Sequence, residues 1–188
     1  MNCFIYFLFI SLIILFMISV ALLYLSITNK LCKFVNKNNY VEILPNLFLG
    51  NITAAKDLKL IKRHNIQVII NCSNDIENYF LTNKNIKYYR CPLDDSLLDY
   101  DINLMKQFLP TFINIIDESL KNNKPVLVHC YAGRQRSAAL IAGYLMYKKK
   151  MSIDEAYNYI ISKRPEAFHY GRSFNFNESL KDYQKNNL

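Results

Sequence analysis

The stretch His129-Cys130-Tyr131-Ala132-Gly133-Arg134-Gln135-Arg136-Ser137 joins two apolar runs. Before it stands Pro125-Val126-Leu127-Val128, short and β-branched, which reads as a buried strand. After it come Ala138, Ala139, Leu140, Ile141, Ala142, Tyr144 and Leu145, which read as a mostly apolar helix. The segment is therefore strand, tight loop, helix. Backbone N–H groups in such a loop converge on one point. The helix adds its unpaired N-terminal donors and the positive end of its dipole, so an anion is stabilised there. Gly133 allows the loop a backbone conformation closed to other residues.

Cys130 falls at the bottom of this cradle. A free thiol has a pKa of about 8.5, and helix N-termini and cations lower such values to roughly 3.5–7.5. The expected chemistry is attack by the Cys130 sulfur on a phosphate monoester. The planar fork of Arg136 grips two phosphoryl oxygens, which a lysine cannot match, and stabilises their charge in the transition state. Ser137 is placed to donate a hydrogen bond to the sulfur and improve it as a leaving group. Tyr131, Ala132, Gly133, Arg134, Gln135 and Arg136 are the expected substrate-binding residues, and His129 is expected to orient the loop through its ring nitrogens. The alternative, a buried structural cysteine beside two surface arginines, leaves the order of strand, Cys, Gly, Arg, Ser and helix unexplained.

Outward from the loop the pattern alternates. Val41–Leu44 and Leu47–Leu49 read as short strands around a Pro45-Asn46 turn. Asn51 or Thr53 is a candidate cap for a helix running to about His64, and Val68–Asn71 reads as a buried strand. Ile86 to Leu93 is strand-like and leads to Asp94 and Asp95. Met105, Phe108, Leu109, Phe112, Ile115 and Ile116 follow helical spacing, with Asp101 as a possible N-cap. Ser152-Ile153-Asp154-Glu155 has the form of a capping box, Pro165 ends that helix, and a last helix follows Phe176. Alternating strands and helices predict an α/β domain built on a central, mostly parallel sheet flanked by helices, with the loop at the carboxyl edge of a strand. A leaving alkoxide or phenoxide needs a proton that Cys130 cannot supply. Asp94, Asp95, Asp99 and Asp101 are the candidate donors.

The string H-C-x-A-G-x-x-R-S resembles the signature of the cysteine-dependent protein tyrosine phosphatases, in particular their dual-specificity branch. The resemblance extends over about residues 40–184. It includes Ile43-Leu44-Pro45-Asn46-Leu47-Phe48-Leu49-Gly50, Val68-Ile69-Ile70-Asn71-Cys72, Tyr88-Tyr89-Arg90-Cys91-Pro92-Leu93-Asp94-Asp95 and Ala142-Gly143-Tyr144-Leu145-Met146. It implies a phosphatase-like fold and hydrolysis of phosphotyrosine and phosphoserine or phosphothreonine through a phosphocysteine intermediate, with no cofactor and no metal. Matching Tyr88 and Pro92 to the family's Tyr-x-x-x-Pro-x-x-Asp pattern places the general acid at Asp95, with Asp94 as runner-up. Some phosphatases of this class protect the oxidised nucleophile with a second cysteine. The resemblance makes Cys72 a possible redox partner of Cys130. One departure is visible: Ser173-Phe174-Asn175-Phe176 stands where many relatives have Asn-Phe-Asn-Phe, so a bracing role of that first asparagine does not transfer.

The chain has 188 residues, enough for one domain and an appendage. Residues 3–27 carry no charge and are nearly all apolar. As a helix they would extend about 37 Å, enough for a hydrocarbon core of about 30 Å, so a transmembrane helix is expected there. A cleaved signal peptide fits less well, because the apolar run is long and no basic residue precedes it. Residues 28–40 are polar and rich in Lys and Asn and read as a basic linker, followed by a catalytic domain over 41–188. Lys30, Lys33 and Lys37 follow the apolar run, which predicts a single-pass protein with the catalytic domain facing the cytoplasm. Five scattered cysteines without metal-ligand spacing agree with a reducing compartment. The net charge of +8 belongs to the part beyond residue 29 and reads as a solvated surface. The aromatic residues read as packing rather than a nucleic-acid platform, so no nucleic-acid partner is expected. The expected partners are phosphorylated proteins. Anionic phospholipids are the alternative: Arg134 adds a cation at the pocket mouth, and Ala-Gly-Arg-x-Arg-Ser is similar to the loop of a phosphatidylglycerophosphate phosphatase of this superfamily. A non-catalytic phosphoprotein binder is a third reading. It is disfavoured because Cys130, Arg136 and an acid are all present.

Overall fold

The computed structural model describes residues 13–24, 39–96, 98–168, 173–174 and 176–187. The chain separates into two units, residues 1–38 and 39–188. In the first, residues 13–24 are helical. Those twelve residues extend about 18 Å at 1.5 Å per residue. Among the described residues no helix is long and apolar enough to cross a membrane. The rest of the expected span, 3–12 and 25–27, lies outside the described residues, as does most of the expected linker. The linker's last residue is reassigned: Tyr40 opens the first strand, pairing with Gly50 and donating to or accepting from His64 Nε2 at 2.9 Å.

The second unit is built on a five-stranded sheet. Its strands are β1 (Tyr40–Leu44), β2 (Leu47–Gly50), β3 (Val68–Asn71), β4 (Lys87–Arg90) and β5 (Val126–His129), in the order β1-β2-β5-β3-β4. β2, β5, β3 and β4 run parallel, and only β1 is antiparallel, joined to β2 by a turn in which Asn46 takes a φ of 65°. β2, β3 and β5 are buried at every position, as strands covered on both faces must be. Their alternation sorts the core into two layers. Leu47, Leu49, Val68, Ile70, Val126 and Val128 face one layer, and Phe48, Ile69 and Leu127 the other.

The smaller layer is closed by α1 (Ile52–Lys56) and α2 (Leu58–Arg63). A single helix to His64 was expected here. Asp57 divides it, standing extended and accepting from the amides of Lys59 and Leu60 at 2.9 and 3.1 Å, so its carboxylate starts a second helix where the first stops. Of the two candidate caps, Asn51 is the one used.

The larger layer holds α3 (Asp99–Lys121), α4 (Arg136–Lys149), α5 (Ile153–Lys163) and α6 (Asn177–Asn187). Met105, Leu109, Phe112, Ile113 and Ile116 form the buried stripe of α3. Residues 136–146 of α4 are buried throughout, which makes it the central helix. A Cβ on Gly143 would meet Leu109 Cδ1 at 2.9 Å, so α3 and α4 approach closely at that point. The capping box at Ser152 forms as expected. The expected strand Ile86–Leu93 shortens to β4, an edge strand that stops before Pro92, which has no N–H for the ladder. Asp101 is not the N-cap of α3. Leu98 holds that position, and Asp101 is buried one turn inside.

Candidate active site

β5 delivers His129 and Cys130 to the carboxyl edge of the sheet, and α4 starts at Arg136. Between them the loop is held by its carbonyl groups. Tyr131 O accepts from Ile52 N at 3.0 Å, Ala132 O from Arg164 Nη2 at 3.2 Å, Gly133 O from Arg164 Nε at 2.9 Å and Arg134 O from Phe168 N at 3.0 Å. All four acceptors are engaged by groups outside the loop. The peptides are trans, so each N–H points opposite to the carbonyl of the preceding residue. Drawing carbonyls 131–134 outward turns the amides of 132–135 inward. The amide of Gly133 bears this out by donating to Cys130 Sγ at 3.2 Å. Gln135, the N-cap of α4, makes no side-chain capping bond, which leaves the first amides of that helix for an anion.

Gly133 has a φ of 66°, and a Cβ there would lie 2.6 Å from the carbonyl oxygen of Gly50. No other residue fits this bend. Tyr131 is exposed at the mouth, Arg134 is half-buried, and Gln135 is buried.

Cys130 is buried, and Ser137 Oγ donates to its sulfur at 3.2 Å. Arg136 lies along the same wall. Its Nη1 donates to Ser73 Oγ at 3.1 Å and to Leu93 O at 3.2 Å. Its Nε makes no hydrogen bond among the described residues and lies 3.9 Å from Asp95 Oδ2. Nη1 is thus anchored on two acceptors, while the buried Nε faces Asp95. Asp95 is the candidate carboxylate that reaches this arginine, and its side chain is 42% exposed, accessible to a leaving group.

Asp94 and Asp99 are exposed. Asp101 does different work from either: it accepts from the Asp94 amide at 3.1 Å and from the Ser96 hydroxyl, tying down the segment that carries Asp95.

His129 is buried, and burial pushes its pKa down to about 4, with the charges of Arg90 and Arg136 acting in the same direction. The Cys130 backbone beside it favours the charged ring, but the other effects outweigh it. The imidazole is therefore neutral. Neither ring nitrogen makes a hydrogen bond of regular geometry among the described residues, so the expected bracing through those nitrogens takes no such form. Cys72, at the end of β3, is fully buried, and Cys91 follows β4. Among the described residues no group of His, Cys, Asp or Glu side chains is arranged to hold a metal ion.

Sequence reasoning missed Arg164, Ser73 and Arg90, and it gave Asp101 a different role, as a candidate donor or cap. Arg164 is buried and ion-paired to Glu166 at 3.2 Å, yet in the sequence it is only a helix end before a proline. Arg90 donates to the carbonyls of Ser73, Asn74 and Ile76, which fixes the segment from which Ser73 holds Arg136. Ser173 accepts from the Phe176 amide at 3.1 Å, a local turn, while Asn175 lies outside the described residues. A polar hollow of about 680 Å³ at the opposite edge of the sheet, lined by Gln67, Lys87, Asn114 and Lys124 among others, contains none of the loop residues.

Residues 47–186 match the family model described as the dual specificity phosphatase, catalytic domain. The chain is 34% identical over 145 residues to human dual specificity protein phosphatase 9, a match covering 77% of this chain and 36% of that protein. It is 33% identical over 145 residues to dual specificity protein phosphatase Mpk3 of Drosophila melanogaster, covering 77% and 34%. The chain thus spans about a third of the length of these curated relatives. Among solved structures it is similar to human DUSP28, with a TM-score of 0.68 and 25% identity over 79% of this chain and 94% of that one. It is also similar to the human tyrosine phosphatase-like serine/threonine/tyrosine-interacting protein, with a TM-score of 0.65 and 30% identity over 78% and 95%. Fold, loop and sequence agree, and the chain belongs to the dual specificity phosphatase family.

Proposed function

We propose that this chain hydrolyses phosphotyrosine and phosphoserine or phosphothreonine in proteins through a phosphocysteine intermediate. The observation that carries this reading is the Cys130 sulfur with two donors, Gly133 N–H and Ser137 Oγ, each at 3.2 Å, below a ring of inward amides. The phosphoryl group enters with its oxygens on those amides and on the guanidinium of Arg136. Cys130 Sγ attacks phosphorus in line as the ester oxygen leaves, and Asp95 gives that oxygen a proton. The S–P bond then breaks in a second displacement. Asp95 takes a proton from the incoming water, and the Ser137 hydrogen bond stabilises the departing sulfur. The domain leaves little room for a loop that would deepen the pocket, which suits phosphoserine and phosphothreonine as well as phosphotyrosine.

The test is turnover of an aryl phosphate and of phosphopeptides by the full chain, with rapid quenching to trap phosphate on residue 130. Cys130→Ser abolishes both. Hydrolysis that persists in that variant, or no phosphocysteine during turnover, would overturn the reading.

The uncharged stretch 3–27 and the lysines after it support a further proposal, that the domain is tethered to a membrane on its cytoplasmic side. Arg134 at the pocket mouth, together with such a tether, supports phospholipid headgroups as the second substrate class. Comparing turnover of phosphoinositides or phosphatidylglycerophosphate in vesicles with that of phosphopeptides decides between the two.

A further inference from the structure

The sheet ends on an open strand. β4 pairs with β3 on one side and, among the described residues, with no strand on the other. Lys87 N donates to Gln67 O at 2.8 Å and Cys91 N to Asn71 O at 2.9 Å, so the backbone groups of residues 87, 89 and 91 face β3. Such groups alternate sides along a strand, and those of Tyr88 and Arg90 therefore face outward. Among the described residues none of these outward N–H and C=O groups is hydrogen-bonded. The connection 72–86 does not cover them. Arg90 donates to the carbonyls of Ser73 and Ile76 at 2.7 and 2.8 Å, and the Tyr88 hydroxyl accepts from Phe80 N at 3.2 Å. Side chains stand off the face of a sheet, so the connection lies over β4 rather than beside its edge.

On the other face Tyr89 packs against the larger core layer, and Lys87 Nζ lies 4.8 Å from the centre of its ring. Both residues line the polar hollow of about 680 Å³, together with Asn114 and Glu118 of α3 and with Lys84 and Lys124. The three lysines are exposed. Among the described residues the hollow's only carboxylate is that of Glu118, which pairs with Lys121 at 3.1 Å. The hollow is left with an excess of positive charge. A strand added beside β4 would bond to Tyr88 and Arg90 through its backbone. Every second side chain of it would fall on the face of Lys87 and Tyr89, at the hollow.

We propose that β4 and the hollow form a docking site for an extended acidic segment of the phosphoprotein substrate, which joins the sheet as a sixth strand and sets its carboxylates among Lys84, Lys87 and Lys124. A second copy of the chain suits this edge poorly. Parallel pairing in register sets Lys87 against Lys87, and antiparallel pairing sets Lys87 against Arg90, like charges in either case. An acidic segment meets the same lysines with opposite charge. The strand also leads toward the pocket. Asp95 is eight residues beyond Lys87, so the two lie within about 29 Å, the reach of about eight extended residues. One substrate can therefore occupy the hollow and the pocket together. Docking raises the effective concentration of the phosphoresidue at the loop and lowers KM, with the chemical step unchanged.

The inference rests on the phosphatase reading for its substrate, but its first test reads binding alone. A peptide of about ten residues alternating Glu and Thr, which sets its carboxylates on one side when extended, is titrated into the full chain. Amide hydrogen exchange at Tyr88 and Arg90 slows by about tenfold or more at saturation. N-methylation of every second peptide nitrogen abolishes binding in one phase of the alternation and is tolerated in the other, because only alternate amides of an added strand face its neighbour. A peptide alternating Lys and Thr does not bind. The triple variant Lys84→Glu, Lys87→Glu, Lys124→Glu binds the acidic peptide about fivefold or more weakly. The second test joins the acidic segment to a phosphotyrosine about eight residues away. KM falls about fivefold against a Ser/Thr-tailed control, kcat is unchanged, and the triple variant loses this advantage while hydrolysing a small aryl phosphate at the wild-type rate.

Binding without slower exchange at Tyr88 and Arg90 overturns the proposal, as do equal effects of the two N-methyl series or an acidic tail that leaves KM unchanged. Exchange at those amides that is already slow in the chain alone and quickens on dilution assigns the edge to a second copy and overturns it too. A chain that binds the peptide as described but hydrolyses no phosphate ester refutes the phosphatase reading alone.

Discussion

Arg164 Nε donates to the carbonyl oxygen of Gly133 at 2.9 Å, and its Nη2 donates to that of Ala132 at 3.2 Å. A residue at the end of α5 thereby sets the direction of two amides of the loop after β5. The pocket is assembled from its back, through the acceptors that the anion never touches.

Arg164→Ala frees those carbonyls and removes the partner of Glu166. The expected result is a fall of about 10- to 100-fold in kcat/KM, with weaker inhibition by vanadate, because oriented donors of this kind are worth roughly 10²–10³ in rate. Arg164→Lys recovers part of the loss, since one ammonium cannot serve two carbonyls with the geometry of a planar fork. Steady-state kinetics on an aryl phosphate check both. Wild-type vanadate affinity in Arg164→Ala would refute the assignment.

Both carboxylates are exposed, but Asp95 lies 3.9 Å from Arg136 Nε, whereas Asp94 is held through its amide by Asp101. Asp95→Asn is expected to slow hydrolysis by about 10²-fold or more on alkyl and phenyl phosphates. The loss is smaller with a nitrophenyl leaving group, which departs without a proton. Asp94→Asn stays within about threefold of wild type. Asp101→Ala gives an intermediate loss through release of the acid-bearing segment. A leaving-group series for the three variants separates these outcomes.

The buried His129 makes stability depend on pH. Its pKa is about 4 in the folded chain against 6.5 for an ordinary imidazole. Between these values the unfolded chain binds a proton that the folded chain refuses. Stability therefore falls as pH drops from about 6.5 to about 4, by about 3 kcal/mol at most, and this group causes no further loss below that. Urea midpoints measured from pH 7.5 to 4.5 show the decline, and in His129→Gln it is smaller. An equal slope in the two proteins would refute it.

Asp117 is buried beneath α4, accepting from Lys148 at 2.7 Å, from Lys121 at 2.8 Å and from the Tyr144 hydroxyl at 3.3 Å. Burial pushes its carboxyl up, yet the hydrogen bonds and charges of Lys121 and Lys148 outweigh burial and bring the net pKa below the ordinary value. The stabilisation is present above about pH 4 and lost as pH falls through the folded value. Asp117→Ala leaves the Tyr144 hydroxyl buried without this acceptor and is expected to cost about 1–3 kcal/mol, with turnover at saturating substrate unchanged. Thermal denaturation measures the first and kinetics the second.

The candidate site was legible because its principal groups are close together in the sequence. Cys130, Gly133, Arg136 and Ser137 occupy one loop whose flanking strand and helix show plainly in the side-chain pattern. The parallel core was legible for a similar reason, since Leu47, Phe48 and Leu49 already alternate between the layers they fill. Asp95 needed a family pattern to separate it from Asp94, because two adjacent carboxylates look alike until one is seen to face an arginine.

Other features came only with tertiary contacts. Asp57 divides a helix that periodicity draws as continuous, because a side chain that captures two amides overrides a weak propensity. Ser73 meets Arg136 across 63 residues, and Arg164 meets Gly133 across 31. The free edge of β4 exists only because the strand order ends on it. The chain by itself determined which side chains make up the candidate site, since adjacency along a backbone is written in it. Which groups would hold those side chains in place was decided by strand order and packing, which bring together residues that no local spacing relates.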